Sequence, residues 1–219
     1  MPTPGATAMT FSSLIEDIMR YVETGGDDSE AANIQMPRIV NNTERQLATQ
    51  LKIQGYIGTY TSQMQTNQAV ISKPQAWRST VSINFGSGPS RNRRTTLRLR
   101  SLEYIRAMFP NQLSLGEPQF YADYDLDHWW VSPTPSDAFP FEAQVYMLPP
   151  LLSEANQTNY LTQYAPNLLL FACLGNMEAF LRNDSRIAVW QAQAKEVYDG
   201  LNVEDLRRMV DRGQERSTD

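Results

Sequence analysis

The chain has 219 residues, of which 41% are hydrophobic and 20% charged, and its formal net charge is −5. These values are typical of a globular protein with one large or two small domains. The chain has one cysteine, Cys173, and one histidine, His128, which excludes an internal disulfide and a zinc site built from Cys and His within one chain.

Two helices are predicted at the start of the chain. The first has an apolar stripe at helical spacing, made of Phe11, Leu14, Ile15, Ile18, Met19 and Val22. We expect it to end at Gly25-Gly26 and Asp27-Asp28, and the second helix to begin near Pro37 and stop at Gly55. The predicted buried face of the second helix contains Ile39, Val40, Thr43, Leu47 and Leu51.

The hydrophobic period then changes from 3.6 to 2, which is typical of strands with one solvated face. Alternation predicts strands around residues 56–61, 80–85, 97–100, 119–124, 128–132 and 141–147. A loop is expected at 86–92, and a short helix at 101–109 that Pro110 stops.

Helix is predicted again after Tyr164. The residues from Leu168 to Leu181 are apolar almost all round, which indicates a central helix. Asn183 and Asp184 interrupt it, and a further helical stripe runs from Ile187 to Leu201. From Val203 onward the chain is charged with few apolar positions, so it is either a surface helix or a tail that a partner orders.

The order of these segments predicts an α+β fold in which helices from both chain ends form a bundle and a small antiparallel β domain is inserted between them. The expected domains are a helical bundle of residues 1–55 and 156–202, an inserted β domain of 56–155, and a C-terminal segment of 203–219. The longest apolar run, 168–174, is too short to span a bilayer, and no secretory signal is recognisable, so no membrane association is expected.

The charge is distributed very unevenly. Residues 56–110 carry a net charge of +7, and residues 111–160 carry −7. Two adjacent stretches of opposite sign suit contacts in which one surface of a subunit meets a different surface of its neighbour. The candidate subunit-interface residues are Arg91, Arg93, Arg94, Arg98 and Arg100 on the basic side, with Asp123, Asp125, Asp127 and Glu142 on the acidic side.

Two other interpretations of these charges stay open. The same residues can form ion pairs across strands within one subunit, and the arginines can contact DNA phosphates. No motif that reads DNA bases is recognisable, and the chain is acidic overall, which favours a protein partner.

No catalytic, cofactor-binding or metal-binding pattern is complete. The spacing of Asp123, Asp125 and Asp127 matches the opening of an EF-hand loop, but His128 occupies the required glycine position and Thr134 the required glutamate position. A Ser-His-Asp triad would have to use His128, which stands beside two tryptophans. We therefore expect no enzyme activity, no cofactor and no metal.

Several motifs occur in the order found in one known family. The first group comprises Phe11-x-x-Leu14-Ile15, Pro37-x-Ile39 and Thr43-Glu44-x-x-Leu47. The second comprises Gly116-x-Pro118-x-x-Tyr121, Trp130-Val131-Ser132-Pro133-x-Pro135 and Tyr146-Met147-Leu148-Pro149-Pro150-Leu151-Leu152-Ser153. The third comprises Thr158-Asn159-Tyr160-Leu161, Tyr164-x-Pro166-x-Leu168-Leu169-Leu170, Glu178-x-Phe180-Leu181 and Asn183-Asp184-x-Arg186-Ile187-x-x-Trp190. In this collinear order the chain resembles the head-to-tail adaptor, or connector, proteins of tailed bacteriophages.

The resemblance implies a structural virion protein in the neck, assembled in the host cytoplasm. It implies a homo-oligomeric ring, with twelve copies as the number that matches the portal, joined to the portal protein above and to a neck or tail protein below. Double-stranded DNA would pass through the ring without sequence-specific binding. We expect the C-terminal segment to contact the portal, through Leu206, Arg207, Arg208, Met209 and Val210. The alternatives are another neck protein, such as a stopper or tail terminator, and a nucleic-acid-binding module that uses the Arg91–Arg100 cluster.

Overall fold

A computed structural model of the chain describes residues 9–22, 27–51, 53–88, 90–111, 114–181 and 184–214, of which 27–29, 54, 184 and 204–214 are described by their backbone only. The chain divides into two compact units. The helical unit consists of Met1–Tyr56 and Pro149–Asp219, and the β unit consists of Ile57–Leu148.

In the described residues, most helices lie toward the two ends of the chain and the strands lie between them. This arrangement confirms the predicted α+β fold class. The helices are α1 (Phe11–Val22), α2 (Asp27–Gln50), α3 (Leu102–Met108), α4 (Tyr160–Tyr164), α5 (Pro166–Phe180) and α6 (Asp184–Gln214). The strands are β1 (Ile57–Gln63), β2 (Val70–Ser72), β3 (Trp77–Ser87), β4 (Arg93–Thr96), β5 (Arg98–Leu99), β6 (Leu115–Gly116), β7 (Phe120–Asp123), β8 (His128–Ser132), β9 (Thr134–Pro135) and β10 (Pro140–Met147).

Helix α2 is ten residues longer at its start than the sequence predicted. The expected start near Pro37 is wrong, because the helix begins at Asp27 and Pro37 lies inside it. Proline removes one backbone hydrogen bond from a helix. Here Ala32, Met36 and Val40 are all buried on the same side of the helix, and this packing supports the helix through the proline.

Helix α5 is the centre of the helical unit. It packs against α1, α2, α4 and α6. Its hydrophobic residues point in all directions, as predicted, and eight of its fifteen residues are buried. A short helix that the sequence did not predict, α4, precedes it, with Asn159 at its N-cap forming a reciprocal capping box with Thr162.

Helix α6 continues past Leu201 without interruption to Gln214. The backbone of the C-terminal segment is therefore helical as far as Gln214. Within α6, the hydroxyl of Tyr198 donates to the backbone carbonyl of Gln50 in α2 at 3.1 Å, which links the two helices. No helix in the part of the chain that the structure describes is both long enough and apolar enough to cross a membrane.

The β unit contains two four-stranded sheets. The first has the strand order β1-β10-β3-β4 and is antiparallel throughout, and the second has the order β2-β8-β7-β5. Two short pairings depart from the predicted antiparallel pattern, because β5 pairs with β7 and β6 with β9 in parallel. The first pairing lies at the edge of the second sheet, and the other forms a separate two-stranded sheet. Each has two residues per strand, too short to produce the hydrophobic run of a buried parallel strand.

One hydrophobic core joins the two sheets of the β unit. It contains Met64, Ile71, Ile83, Phe85, Leu97, Tyr121, Trp129, Val131, Phe139, Phe141, Ala143 and Val145. The indole N–H of buried Trp129 donates to the hydroxyl of Thr80 at 2.9 Å, so this large side chain leaves no unpaired donor in the core.

The second domain boundary lies at Leu148, seven residues before the expected position at 155. The reason is that the chain makes contacts of the helical unit directly after the two prolines Pro149 and Pro150. The backbone N–H of Leu152 donates to a carboxylate oxygen of Glu44 at 2.9 Å, and Leu152 is itself fully buried.

Candidate functional site

The candidate interface residues lie on four features of the β unit. Arg91 lies in the β3–β4 loop, and Arg93 and Arg94 lie in β4. Arg98 lies in β5 and Arg100 directly after it. Asp123 is the last residue of β7, Asp125 and Asp127 lie in the turn between β7 and β8, and Glu142 lies in β10. These residues differ in how many contacts they make within the chain, and therefore in how available their charges are to a partner.

Arg91 and Arg94 already have partners within the chain. Arg91 adopts a left-handed backbone conformation with φ of 55°, and its guanidinium binds the carboxylate of Asp137 and the carbonyl of Ala138. It also lies over the ring of Phe139, at 4.5 Å from the centroid. This set of contacts indicates that Arg91 fixes the loop before β4.

Arg94 pairs with Glu142, another predicted interface residue, at 3.4 Å. The two residues lie on the solvent face of the first sheet, on either side of β3, where Gly86 lies opposite Arg94 and Asn84 lies opposite Glu142. Arg94 is 71% exposed, so the pair contributes about 0–1 kcal/mol. The same residues line a polar cleft of about 350 Å³ together with Asn84.

Arg93, Arg98 and Arg100 are exposed, and within the described residues no carboxylate lies in ion-pair distance of them. The guanidinium of Arg100 lies 5.7 Å from the ring centroid of Tyr104 and donates to the carbonyl of Leu99. These three arginines are the part of the basic cluster whose charge is available to a partner.

The acidic turn between β7 and β8 is held from inside by a lysine. The ammonium of Lys73 donates to the carbonyl of Asp125 at 2.7 Å and lies 3.3 Å from the carboxylate of Asp123. The Lys73 side chain is 1% exposed, and its ammonium lies 3.6 Å from the ring centroid of Trp77. Lys73 is not among the predicted interface residues. Its signal is the position two residues after buried Ile71, which places a lysine on the core side of an extended segment.

Asp125 is engaged by its own turn. Its carboxylate accepts from the backbone N–H of Asp127 at 2.8 Å and contacts Nδ1 of His128 at 2.9 Å. Desolvation is the largest single effect and raises its pKa, but the hydrogen bonds from Asp127 and His128 and the charge of His128 together outweigh it, so the pKa of Asp125 lies below its ordinary value. His128 therefore orients the carboxylate of Asp125 in the turn between β7 and β8.

The spacing of Asp123, Asp125 and Asp127 resembles the start of a calcium loop, but the carboxylates of Asp123 and Asp125 are directed to Lys73 and His128. Across the ranges that the structure describes, no group of three or more His, Cys, Asp or Glu side chains is arranged to hold a metal ion.

The most buried charged site lies in the helical unit. Glu44 of α2 is fully buried, and its carboxylate accepts from the backbone N–H of Leu152 and from the side-chain amide of Asn159. Burial raises its pKa, and this effect exceeds the lowering by the bonds from Leu152 and Asn159 and by the charge of Arg45. Glu44 therefore ties α2 to the segment that returns from the β unit and to the N-terminus of α4.

The sequence does contain a signal for Glu44. Glu44 lies four residues after Val40, one after Thr43 and three before Leu47, all of which are buried. A carboxylate therefore lies within the buried stripe of this helix. Beside it, the hydroxyl of Thr43 accepts from the amide of Asn176 in α5 at 2.7 Å. A polar layer therefore crosses the helical core at this level.

Cys173 of α5 belongs to the same layer. It is fully buried, and burial raises the pKa of its thiol to about 12, against a smaller lowering by Thr43. The thiol is therefore protonated at neutral pH and unreactive.

The residues expected to contact the portal, Leu206, Arg207, Arg208, Met209 and Val210, lie in the last third of α6 by their backbone, and their side chains fall outside the description.

Residues 9–217 match the family model described as SU10 adaptor protein. The match spans nearly the whole chain, so the chain belongs to the SU10 adaptor protein family. This family indicates a bacteriophage adaptor, which is a structural component of the virion. A comparison with curated protein sequences gives no match.

Proposed function

We propose that this bacteriophage adaptor forms a ring beneath the portal and continues the DNA channel from the head toward the tail. Its role is mechanical and involves no enzyme activity. The observation that carries this proposal is the adaptor family match over residues 9–217. A ring of twelve copies would match the symmetry of the portal, and closed rings of this kind use heterologous contacts between unlike surfaces.

The ring would have three kinds of partner. It meets the portal protein on one side and a neck or tail protein on the other, and it surrounds passing double-stranded DNA without reading its sequence. The net charge of the chain, −5, suits a channel through which DNA must slide, because a strongly basic lining would retain phosphates. Assembly would take place in the host cytoplasm, before the tail is attached at the neck.

We assign part of the contact between neighbouring copies to the charged features of the β unit. Arg93, Arg98 and Arg100 are exposed without an ion-pair partner in the described chain, and Asp127 is exposed at the tip of the acidic turn. Asp123 and Asp125 add negative charge there while Lys73 keeps the turn in place. Each exposed pair contributes only about 0–1 kcal/mol, but repetition around a ring makes assembly depend on salt.

We assign the portal contact to the last third of α6, with Leu206, Met209 and Val210 as apolar anchors and Arg207 and Arg208 beside them. The test is a chain truncated after Gly200, compared with one truncated after Gln214. We expect both truncated chains to fold. Only the shorter chain should fail to bind purified portal particles. Retention of the shorter chain on portals would contradict the assignment.

The exposed arginines also leave DNA binding as a second candidate. A DNA-binding module would bind duplex DNA as an isolated protein, with an affinity that falls steeply as salt increases. An adaptor ring would show little affinity for DNA at any salt concentration while binding its portal. Fluorescence anisotropy with a labelled duplex at two salt concentrations separates these candidates.

A further inference from the structure

The first sheet of the β unit ends in a strand whose outer edge has no backbone partner among the described residues. In the order β1-β10-β3-β4, strand β1 pairs on one side with β10, and none of the described residues pairs with its other side. Its seven residues, Ile57–Gln63, contain no charge and no proline. Free sheet edges in soluble proteins usually carry lysine, proline or a bulge, because an open edge pairs with other chains.

The opposite edge of the same sheet is also open in the described chain. Strand β4, Arg93–Thr96, pairs with β3 alone, and its first two residues are exposed arginines. This edge differs from the first, since one is neutral and the other is positively charged. One sheet therefore presents two unlike edges.

The direction of the strands makes these edges complementary. All three pairings in the sheet are antiparallel, so with four strands β1 and β4 run in opposite directions. Copies related by rotation about a ring axis keep their strand directions relative to that axis. Strand β1 of one copy would therefore lie antiparallel to β4 of the next copy, which is the more stable pairing sense.

We propose that β1 of each copy pairs with β4 of the neighbouring copy, so that the four-stranded sheets join into one continuous β band around the ring. This inference rests on the proposed ring and names the backbone contact that would close it. The occupant of each edge is a second copy of this chain. Pairing of β4 with β4 would bring arginines of two copies together and is disfavoured.

The side chains at this junction can be assigned to faces. Thr61, Glu142, Asn84 and Thr96 lie in register as one row across all four strands. This row lies on the solvent face. Because side chains alternate along a strand, Thr59 and Gln63 share this face, whereas Tyr60 packs against Phe141 on the core side. Thr95 also lies on the core side, where its hydroxyl contacts that of Ser87 at 2.7 Å.

The junction therefore predicts which cysteines can form disulfides between copies. Directly opposed residues on neighbouring strands have the Cα separation that a disulfide needs. A cysteine at Thr59, Thr61 or Gln63 of one copy should oppose a cysteine at Thr96 of the next. A cysteine at Thr95 should not, because it lies on the other face. The natural Cys173 does not interfere, since it is fully buried.

The experiment mixes single-cysteine variants on portal particles of the same phage and oxidises the assembled rings. Thr59→Cys, Thr61→Cys and Gln63→Cys are each combined with Thr96→Cys, and with Thr95→Cys as the matched control. We expect a disulfide-linked dimer from at least one Thr96→Cys mixture, and none from any variant alone or from the Thr95→Cys mixtures. Placing the reactive pair in one chain should then give a ladder of linked copies up to the full ring.

Other outcomes overturn the inference. A linked dimer from a β1 variant alone would show that two copies pair through the same edge, which makes a twofold dimer. Rings that are visible by electron microscopy but give no linked product with any pair would reject the strand pairing while leaving the proposed ring intact. If no ring forms on portals with the unmodified chain, the proposed function and this inference both fail.

Discussion

Glu44 should be the polar residue on which the stability of the helical unit depends most. In Glu44→Ala the buried backbone N–H of Leu152 and the partly buried amide of Asn159 both lose their acceptor. A buried donor left without a partner costs about 1–3 kcal/mol, so the free energy of unfolding should fall by about 1–3 kcal/mol for Leu152 and by a smaller amount for Asn159. This is a large fraction of the 5–15 kcal/mol, roughly, that stabilises a typical domain.

The assay is denaturant unfolding of Glu44→Ala, Asn159→Ala and the double variant. Asn159 also caps α4, so its own substitution costs stability even without Glu44. The cycle removes that contribution, and the coupling between the two residues should be about 0.5–3 kcal/mol. Additive effects, or a Glu44→Ala variant as stable as the natural chain, would refute the assignment of Glu44 as the buried acceptor.

The pH dependence of Glu44→Gln provides an independent test. Burial raises the pKa of Glu44 in the folded chain above its ordinary value of 4.5. Between these two pKa values the folded state binds more protons than the unfolded state, so the contribution of Glu44 to stability falls as pH rises. The stability advantage of the natural chain over Glu44→Gln should therefore be largest below pH 4.5 and shrink above it. An advantage that grows with pH would contradict the raised pKa.

Further variants test the helical core, the acidic turn and the exposed arginines. Leu174→Ala, in the fully buried centre of α5, should lower the free energy of unfolding by about 2–5 kcal/mol, and an unchanged denaturation midpoint would contradict the packing of that helix. Lys73→Met should lower the free energy of unfolding by about 1–3 kcal/mol, because the carbonyl of Asp125 loses a buried charged donor. Amide hydrogen exchange at Asp127 should become faster. Unchanged exchange would show that the turn keeps its conformation without Lys73. Arg98→Glu with Arg100→Glu should abolish ring assembly on portals and leave the monomer folded. The control, Arg20→Glu with Arg38→Glu, makes the same change in net charge on the helical unit and should still assemble. If the first variant forms rings at both low and high salt, Arg98 and Arg100 are not part of the interface.

The sequence predicted the order of helices and strands well because their hydrophobic periods are clear. The alternation in Val81, Ile83 and Phe85 and the stripe of Phe11, Leu14 and Ile18 correspond to β3 and α1. The predicted start of α2 is wrong because proline is common at the first position of a helix, whereas here the buried positions on both sides of Pro37 belong to one helix. Those positions, Ala32, Met36 and Val40, continue one stripe through the proline.

The charged residues were harder to predict because their partners are far apart in sequence. The pairs Lys73–Asp123 and Arg94–Glu142 join residues about fifty positions apart, and no local pattern specifies which arginine or lysine meets which carboxylate. The sequence located the charged stretches, but the strand register places Arg94 beside Glu142 and leaves Arg98 exposed. For the same reason Glu44 can be recognised as buried from its helix face, while its partners Leu152 and Asn159 depend on how the chain returns from the β unit.

The proposed ring below the portal can be observed directly. The most direct measurement is cryo-electron microscopy of the purified virion, compared with particles in which the chain carries a small folded tag at its N-terminus. We expect a ring of additional density in the neck, coaxial with the portal and with one tag per copy around the channel. Tag density on the head surface or along the tail, or virions that contain none of the chain, would contradict it.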